Sequence, residues 1–162
     1  MYSLFNNKIF SNVIVCALIV LMQAYSPQIF ISNNINVSLD FLLILITFLV
    51  LLNKTFYIVF LGMLLGLLQD FIINVQAIGL YSFIKSLSVY YLGKIKLNNN
   101  LWTRNFKLIY ILIIYFIHFL FYYTVINFDI NLMILSLSFF HSILAIIMLC
   151  LFEKIFFNAE LL

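Results

Sequence analysis

The decapeptide GMLLGLLQDF, residues 62–71, lies inside an apolar run from Thr55 to Asn74 and carries an acid where an acid is expensive. Gly62, Gly66, Asp70 and Asn74 are spaced by four, so on a helix they form one stripe: small, small, charged, polar. Two glycines four apart let another backbone approach closely, which is how helices pack where lipid supplies no hydrophobic drive. An acid on that stripe therefore faces protein. Turned toward acyl chains near mid-membrane it would cost roughly 2.5–3.5 kcal/mol.

The rest of the chain makes lipid the solvent. Of 162 residues, 67% are apolar and only 8% charged, with a mean hydropathy of +1.22. That is more apolar surface than one small water-soluble core can hide. Cys16 and Cys150 fall within apolar runs and have no metal-like spacing, so they read as buried thiols. The run after Lys8 outlasts a signal-peptide core and no A-x-A site follows it, which predicts a retained membrane helix.

A helix crossing the hydrocarbon layer takes about 20 residues. Six runs approach this length: Ile9–Ile31, Leu39–Leu52, Thr55–Asn74, Ile78–Gly93, Phe106–Ile126 and Leu132–Phe157. The second and fourth are short and need protein neighbours or a thinner local span. Asp129 or Asn131 suits the N-cap of the last helix and Asn53 or Thr55 that of the third, while Pro27 predicts a kink or early end in the first. The fold class expected is all-α: a single polytopic six-helix bundle over residues 1–162.

Orientation follows from the cations. With six crossings, Lys8, Lys54, Lys94, Lys96, Arg104, Lys107 and Lys154 all fall on one side. Positive residues stay cytoplasmic, which predicts both termini inside. The cationic 94–107 segment reads as ordinary orientation or as a contact for cytoplasmic lipid or partners, and no nucleic-acid partner is expected. Tyr25, Phe30, Tyr57, Tyr90, Tyr91, Trp102, Tyr122, Tyr123 and Phe128 lie near predicted helix ends, where amphipathic rings favour the interface.

Enzyme signatures are missing from the sequence: no G-x-S-x-G, no H-E-x-x-H and no phosphate loop. Ser82 and Lys85 match S-x-x-K without its companion motifs. His118 and His141 sit at about 12 and 13 Å from the outer ends of the last two helices on a 1.5 Å rise. At that depth they could bond each other, Ser136 or Ser138, or a polar ligand, or simply tie the bundle together. Metal binding lacks a third ligand. Asp70 and Lys85 fall about 6 and 10 Å below the outer ends of their helices. They could pair, or join a cluster with Gln69, Asn74 and Gln76; the alternative is Asp70 capping local amides while Lys85 snorkels outward.

Residues 62–96, GMLLGLLQDFIINVQAIGLYSFIKSLSVYYLGKIK, resemble the signature of the bacterial rod-shape-determining MreD family. That signature joins a G-x-x-x-G-L-L-x-D helix to a turn and a Gly-Leu start of the next helix. Gly62, Gly66, Asp70, Gly79 and Leu80 are the matching positions. SLDFLLILITFLV, residues 38–50, resembles the family's P-D-L-L-L segment, with Asp40 in place and Leu39 where a proline is usual.

The resemblance implies a non-enzymatic multi-pass protein of the bacterial cytoplasmic (inner) membrane that needs no cofactor. It implies a component of the cell-elongation machinery for lateral peptidoglycan synthesis, with MreC, MreB, RodA and a class B penicillin-binding protein as partners. The family is similar in fold to the substrate-binding S components of energy-coupling-factor vitamin transporters, which supplies an alternative function. Against it, Ala17 and Ala24 make only a broken version of those proteins' A-x-x-x-A docking pattern. The expected roles are helix packing or partner binding at Gly62, Gly66 and Gly79, and an intramembrane polar cluster of Asp70, Lys85, Asn74, His118 and His141. A homodimer remains among the open arrangements.

Overall fold

Helix ends fall where short polar side chains can satisfy terminal amides and carbonyls. The computed structural model describes residues 18–26, 29–32, 35–53, 55–73, 78–128 and 130–157. Its helices are α1, described over residues 18–24, then α2 (Phe41–Leu52), α3 (Thr55–Ile73), α4 (Leu80–Leu97), α5 (Arg104–Asn127) and α6 (Leu132–Phe157). Asp40 caps α2 by accepting from Leu43 N at 2.9 Å. Asn131 caps α6 through Ile134 N at 2.9 Å, as expected. Asn53, expected to open α3, instead closes α2, its side chain donating to Leu49 O. Lys8, Cys16, Lys54, Asn74, Gln76 and Asp129 lie outside the described residues.

The first helix does not extend to Ile31. Its described turns end by residue 24, and Ile29–Ser32 (β1) pairs antiparallel with Ile35–Val37 (β2). Proline disfavours helical backbone in the residue before it and cannot continue the helix ladder, and Pro27 stands in the sequence between the two conformations. The β-branched and aromatic residues beyond it favour extended pairing.

The predicted shortness of the second helix is real, and its neighbours account for it. Twelve residues rise only about 18 Å, well short of the roughly 30 Å hydrocarbon core. The helix is apolar all round and almost wholly buried, with Leu42, Leu43, Ile46 and Val50 fully enclosed, and α3, α4 and α6 pack against it. The predicted fourth helix is longer than expected, running past Gly93 to Leu97. Gly93 does not end it because that glycine is a packing position: a Cβ there would lie 2.9 Å from Thr55 Oγ1.

The outer surface is apolar. Phe56, Phe60 and Phe71 on α3, Ile109 and Ile117 on α5, and Phe140, Ile147 and Ile155 on α6 are all exposed. A water-soluble chain does not leave so continuous an apolar surface uncovered. Among the described residues, helices over Thr55–Ile72, Arg104–Asn127 and Leu132–Ile155 are long and apolar enough to cross a membrane. Among the described residues, the cations other than Lys85 gather at one end of this arrangement. Lys96 Nζ donates to Asn53 O at 2.8 Å, and Arg104 pairs with the buried Glu153 at 2.9 Å. These contacts bring the end of α4 to the end of α2, and the start of α5 to the end of α6.

Candidate functional site

The α3–α4 hairpin is built on the glycine stripe. A Cβ on Gly66 would stand 2.6 Å from both Ser82 N and Tyr81 O, so only glycine allows α4 this close. A Cβ on Gly62 would stand 3.0 Å from Val89 Cγ2 and 3.7 Å from the Lys85 carbonyl oxygen. Both glycines are thus used within the chain, against α4. Ser82 Oγ reinforces the seam by donating to Met63 O at 2.9 Å. Gly79 differs from the expected packing role: its φ is +97°, a Cβ there would meet nothing within 4 Å, and its value is the left-handed backbone that opens α4.

Asp70 is fully buried and caps α4 across the turn. Its oxygens accept from Gly79 N at 2.9 Å, Tyr81 N at 3.0 Å and Ser82 N at 3.3 Å. A helix N-terminus leaves several amides without intrahelical partners and carries partial positive charge, so a carboxylate is well matched to it. Of the two readings open for Asp70, the pair with Lys85 gives way to the capping of local amides, and Lys85 has a different acid.

That acid is Asp40. Lys85 Nζ lies 2.6 Å from Asp40 Oδ1 and 2.8 Å from Oδ2, with both side chains buried. Lys85 does not snorkel; its ammonium also lies 5.7 Å from the centre of the Tyr81 ring, which stacks on Tyr122 at 4.6 Å. Asp40 Oδ2 faces His118 Nε2 at 3.7 Å. Ser88 Oγ donates to Ile84 O at 2.8 Å and meets His118 Nδ1 at 3.0 Å. One buried network thus joins the start of α2 to the middle of α4 and α5.

The histidines do not bond each other. His141 Nδ1 meets Tyr123 OH at 2.9 Å and its ring stacks on Phe119 at 3.7 Å, while Phe119 also packs edge-on against His118 at 5.1 Å. Ser136 and Ser138 bond the carbonyls of Met133 and Ile134 on their own helix. Tyr122 and Tyr123, expected at the interface, are buried in this network, whereas Tyr25, Tyr57, Tyr90 and Tyr91 are exposed. Lys107 turns inward and donates to Asn99 at 2.6 Å, tying down the 98–103 connection.

Asp40 and Glu153 are the functional-looking acids that residue spacing missed. Asp40 had a readable sign, an acid immediately before an apolar run, which is an N-cap pattern. Glu153 offered only an acid in the last turn beside Lys154. Chemically the network holds helices together. Asp40 is occupied by a lysine and an amide, Ser82 donates to a backbone carbonyl, and Lys85 is committed to Asp40, so Ser82 and Lys85 do not form a nucleophile–base pair. Among the described residues no group of three His, Cys, Asp or Glu side chains could hold a metal ion.

Comparison with curated proteins and with solved structures returned no significant match. Comparison with protein families gave one described as rod shape-determining protein MreD, matched over residues 3–159. The match agrees with a helical chain whose described outer surface is largely apolar and whose described acids Asp40, Asp70 and Glu153 are buried, and it spans nearly the whole sequence: the chain belongs to the rod shape-determining protein MreD family.

Proposed function

We propose that this chain is a multi-pass scaffold of the bacterial inner membrane. In this reading it crosses six times with both termini in the cytoplasm, binds MreC and helps position lateral peptidoglycan synthesis. MreB, RodA and a class B penicillin-binding protein are further members of the same assembly. Mechanism here is packing rather than turnover.

The observation that supports this reading most directly is where the polar groups go. Asp40, Lys85, Asp70, Ser88, His118, Tyr123 and His141 bond one another or the backbone inside the bundle, while the outer faces of α3, α5 and α6 are apolar. Such a protein offers partners shaped helix faces held rigid from within. The gathering of Lys94, Lys96, Arg104, Lys107 and Lys154 at one end supports the cytoplasmic placement of that end.

Purification in mild detergent tests the function: MreC should be recovered with this chain, whereas ATPase subunits or a tightly bound vitamin would replace the scaffold with a transporter component. Reporter fusions after residues 54 and 100 should report the cytoplasm, and fusions after residues 77 and 130 the opposite side; any other alternation removes the six-span topology.

A further inference from the structure

A groove of about 360 Å³ runs along the seam between α4 and α5. Its walls are aliphatic and aromatic, with Leu87 and Ile84 from α4 and Ile113, Ile117 and Phe121 from α5. Leu87, Ile113 and Ile117 are exposed, so the groove opens on the same apolar surface as the rest of the bundle. It runs from Ile84 to Lys94, ten steps or about 15 Å of helix rise. Toward the end of α4 it meets Tyr91, Tyr110 and Lys94. Lys94 is exposed, its ammonium lies 5.2 Å from the centre of the Tyr91 ring, and no carboxylate pairs with it among the described residues.

We propose that this groove binds an anionic phospholipid of the surrounding bilayer, with one acyl chain lying between α4 and α5 and its phosphate held by Lys94. Two features favour a lipid over a partner's transmembrane helix. A second helix needs small residues to seat closely, and this lining has neither glycine nor alanine; its one small side chain, Ser88, is already bonded to Ile84 O and His118. A flexible chain can fill a narrow channel between bulky side chains, and an unpaired lysine beside aromatic rings at its mouth matches a phosphate at headgroup level. This inference stands apart from the scaffold reading, since a transporter component of the same fold would carry the same groove.

The test is native mass spectrometry of the purified full chain titrated with phosphatidylglycerol and, separately, phosphatidylethanolamine. The wild-type chain should retain phosphatidylglycerol preferentially. K94Q should lower that preference about fivefold, the effect of one lysine near a charged headgroup. K154Q, an exposed lysine away from the groove, should leave it unchanged. Ile117→Trp fills the groove and should abolish retention of both lipids with elution volume and unfolding temperature unchanged. Should that variant unfold, a photo-crosslinking residue at position 113 in otherwise wild-type protein should capture lipid. Equal retention of the two lipids, equal losses in K94Q and K154Q, or capture of a protein helix at position 113 would each overturn the proposal.

Discussion

Lys85 and Asp40 are 45 residues apart in sequence and 2.6 Å apart in the bundle, both shut away from solvent. Two opposed charges buried together gain from each other only while both remain; removing one leaves the other uncompensated, at about 3–5 kcal/mol. Lys85→Met and Asp40→Asn should each destabilise the protein on that scale, while the double variant recovers much of the loss because an asparagine oxygen at this position still caps α2. A double-mutant cycle from reversible unfolding in detergent measures this, and strict additivity would contradict the pair.

Asp70 answers to a different set of groups. Three amides at the start of α4 bond to it, so Asp70→Ala should cost about 2–3 kcal/mol, with hydrogen exchange at Gly79, Tyr81 and Ser82 accelerating first. Asp70→Asn keeps an acceptor and should lose less. Combined with Lys85→Met, Asp70→Ala should be far closer to additive than the Asp40 combination, because its bonds run to the backbone.

The two stripe glycines should separate clearly on substitution. Gly66→Ala drives a methyl into the Ser82 backbone, which cannot give way without parting α3 from α4, and a loss above about 3 kcal/mol is expected. Gly62→Ala meets one valine methyl at 3.0 Å with the nearest backbone atom at 3.7 Å, so a shift of a few tenths of an ångström suffices and a smaller loss, about 1 kcal/mol, is expected. Unfolding midpoints in detergent decide it: equal losses would mean that α3 and α4 are not in the closest contact at Gly66.

Gly79 tests backbone conformation apart from packing. There is open space around it, so Gly79→Ala should cost only the left-handed backbone penalty, about 1–2 kcal/mol, and Gly79→Asn less. Should Asn prove as harmful as Ala, the positive φ is not what the turn requires.

The candidate site was legible in parts that depend on periodicity. Glycines and an acid at intervals of four must share a helix face, so the inward aim of Asp70 could be read directly. Depth was legible too, since rise per residue placed Lys85, His118 and His141 in one half of the bundle, where the network is found. Partners were legible only as alternatives, of which Asp70 capping local amides is the one found. Rise along a helix says nothing of rotation about it, so two histidines at equal depth pointed to Tyr123 and Ser88 instead of each other. The hairpin after Pro27 was hidden because an apolar run of Ile and Phe fits a lipid-facing helix and a strand equally well.

The sequence by itself determined the solvent, the number of apolar runs, the end at which cations collect and the side of α3 that turns inward, because these follow from composition and helical period. Only the tertiary structure decided that Lys85 belongs to Asp40 and that Asp70 belongs to the start of α4. That choice depends on which helices adjoin: α2 is short enough to be enclosed, so its N-terminal acid comes to rest beside the middle of α4, within reach of a lysine for which local spacing offered only the nearer carboxylate or the lipid surface.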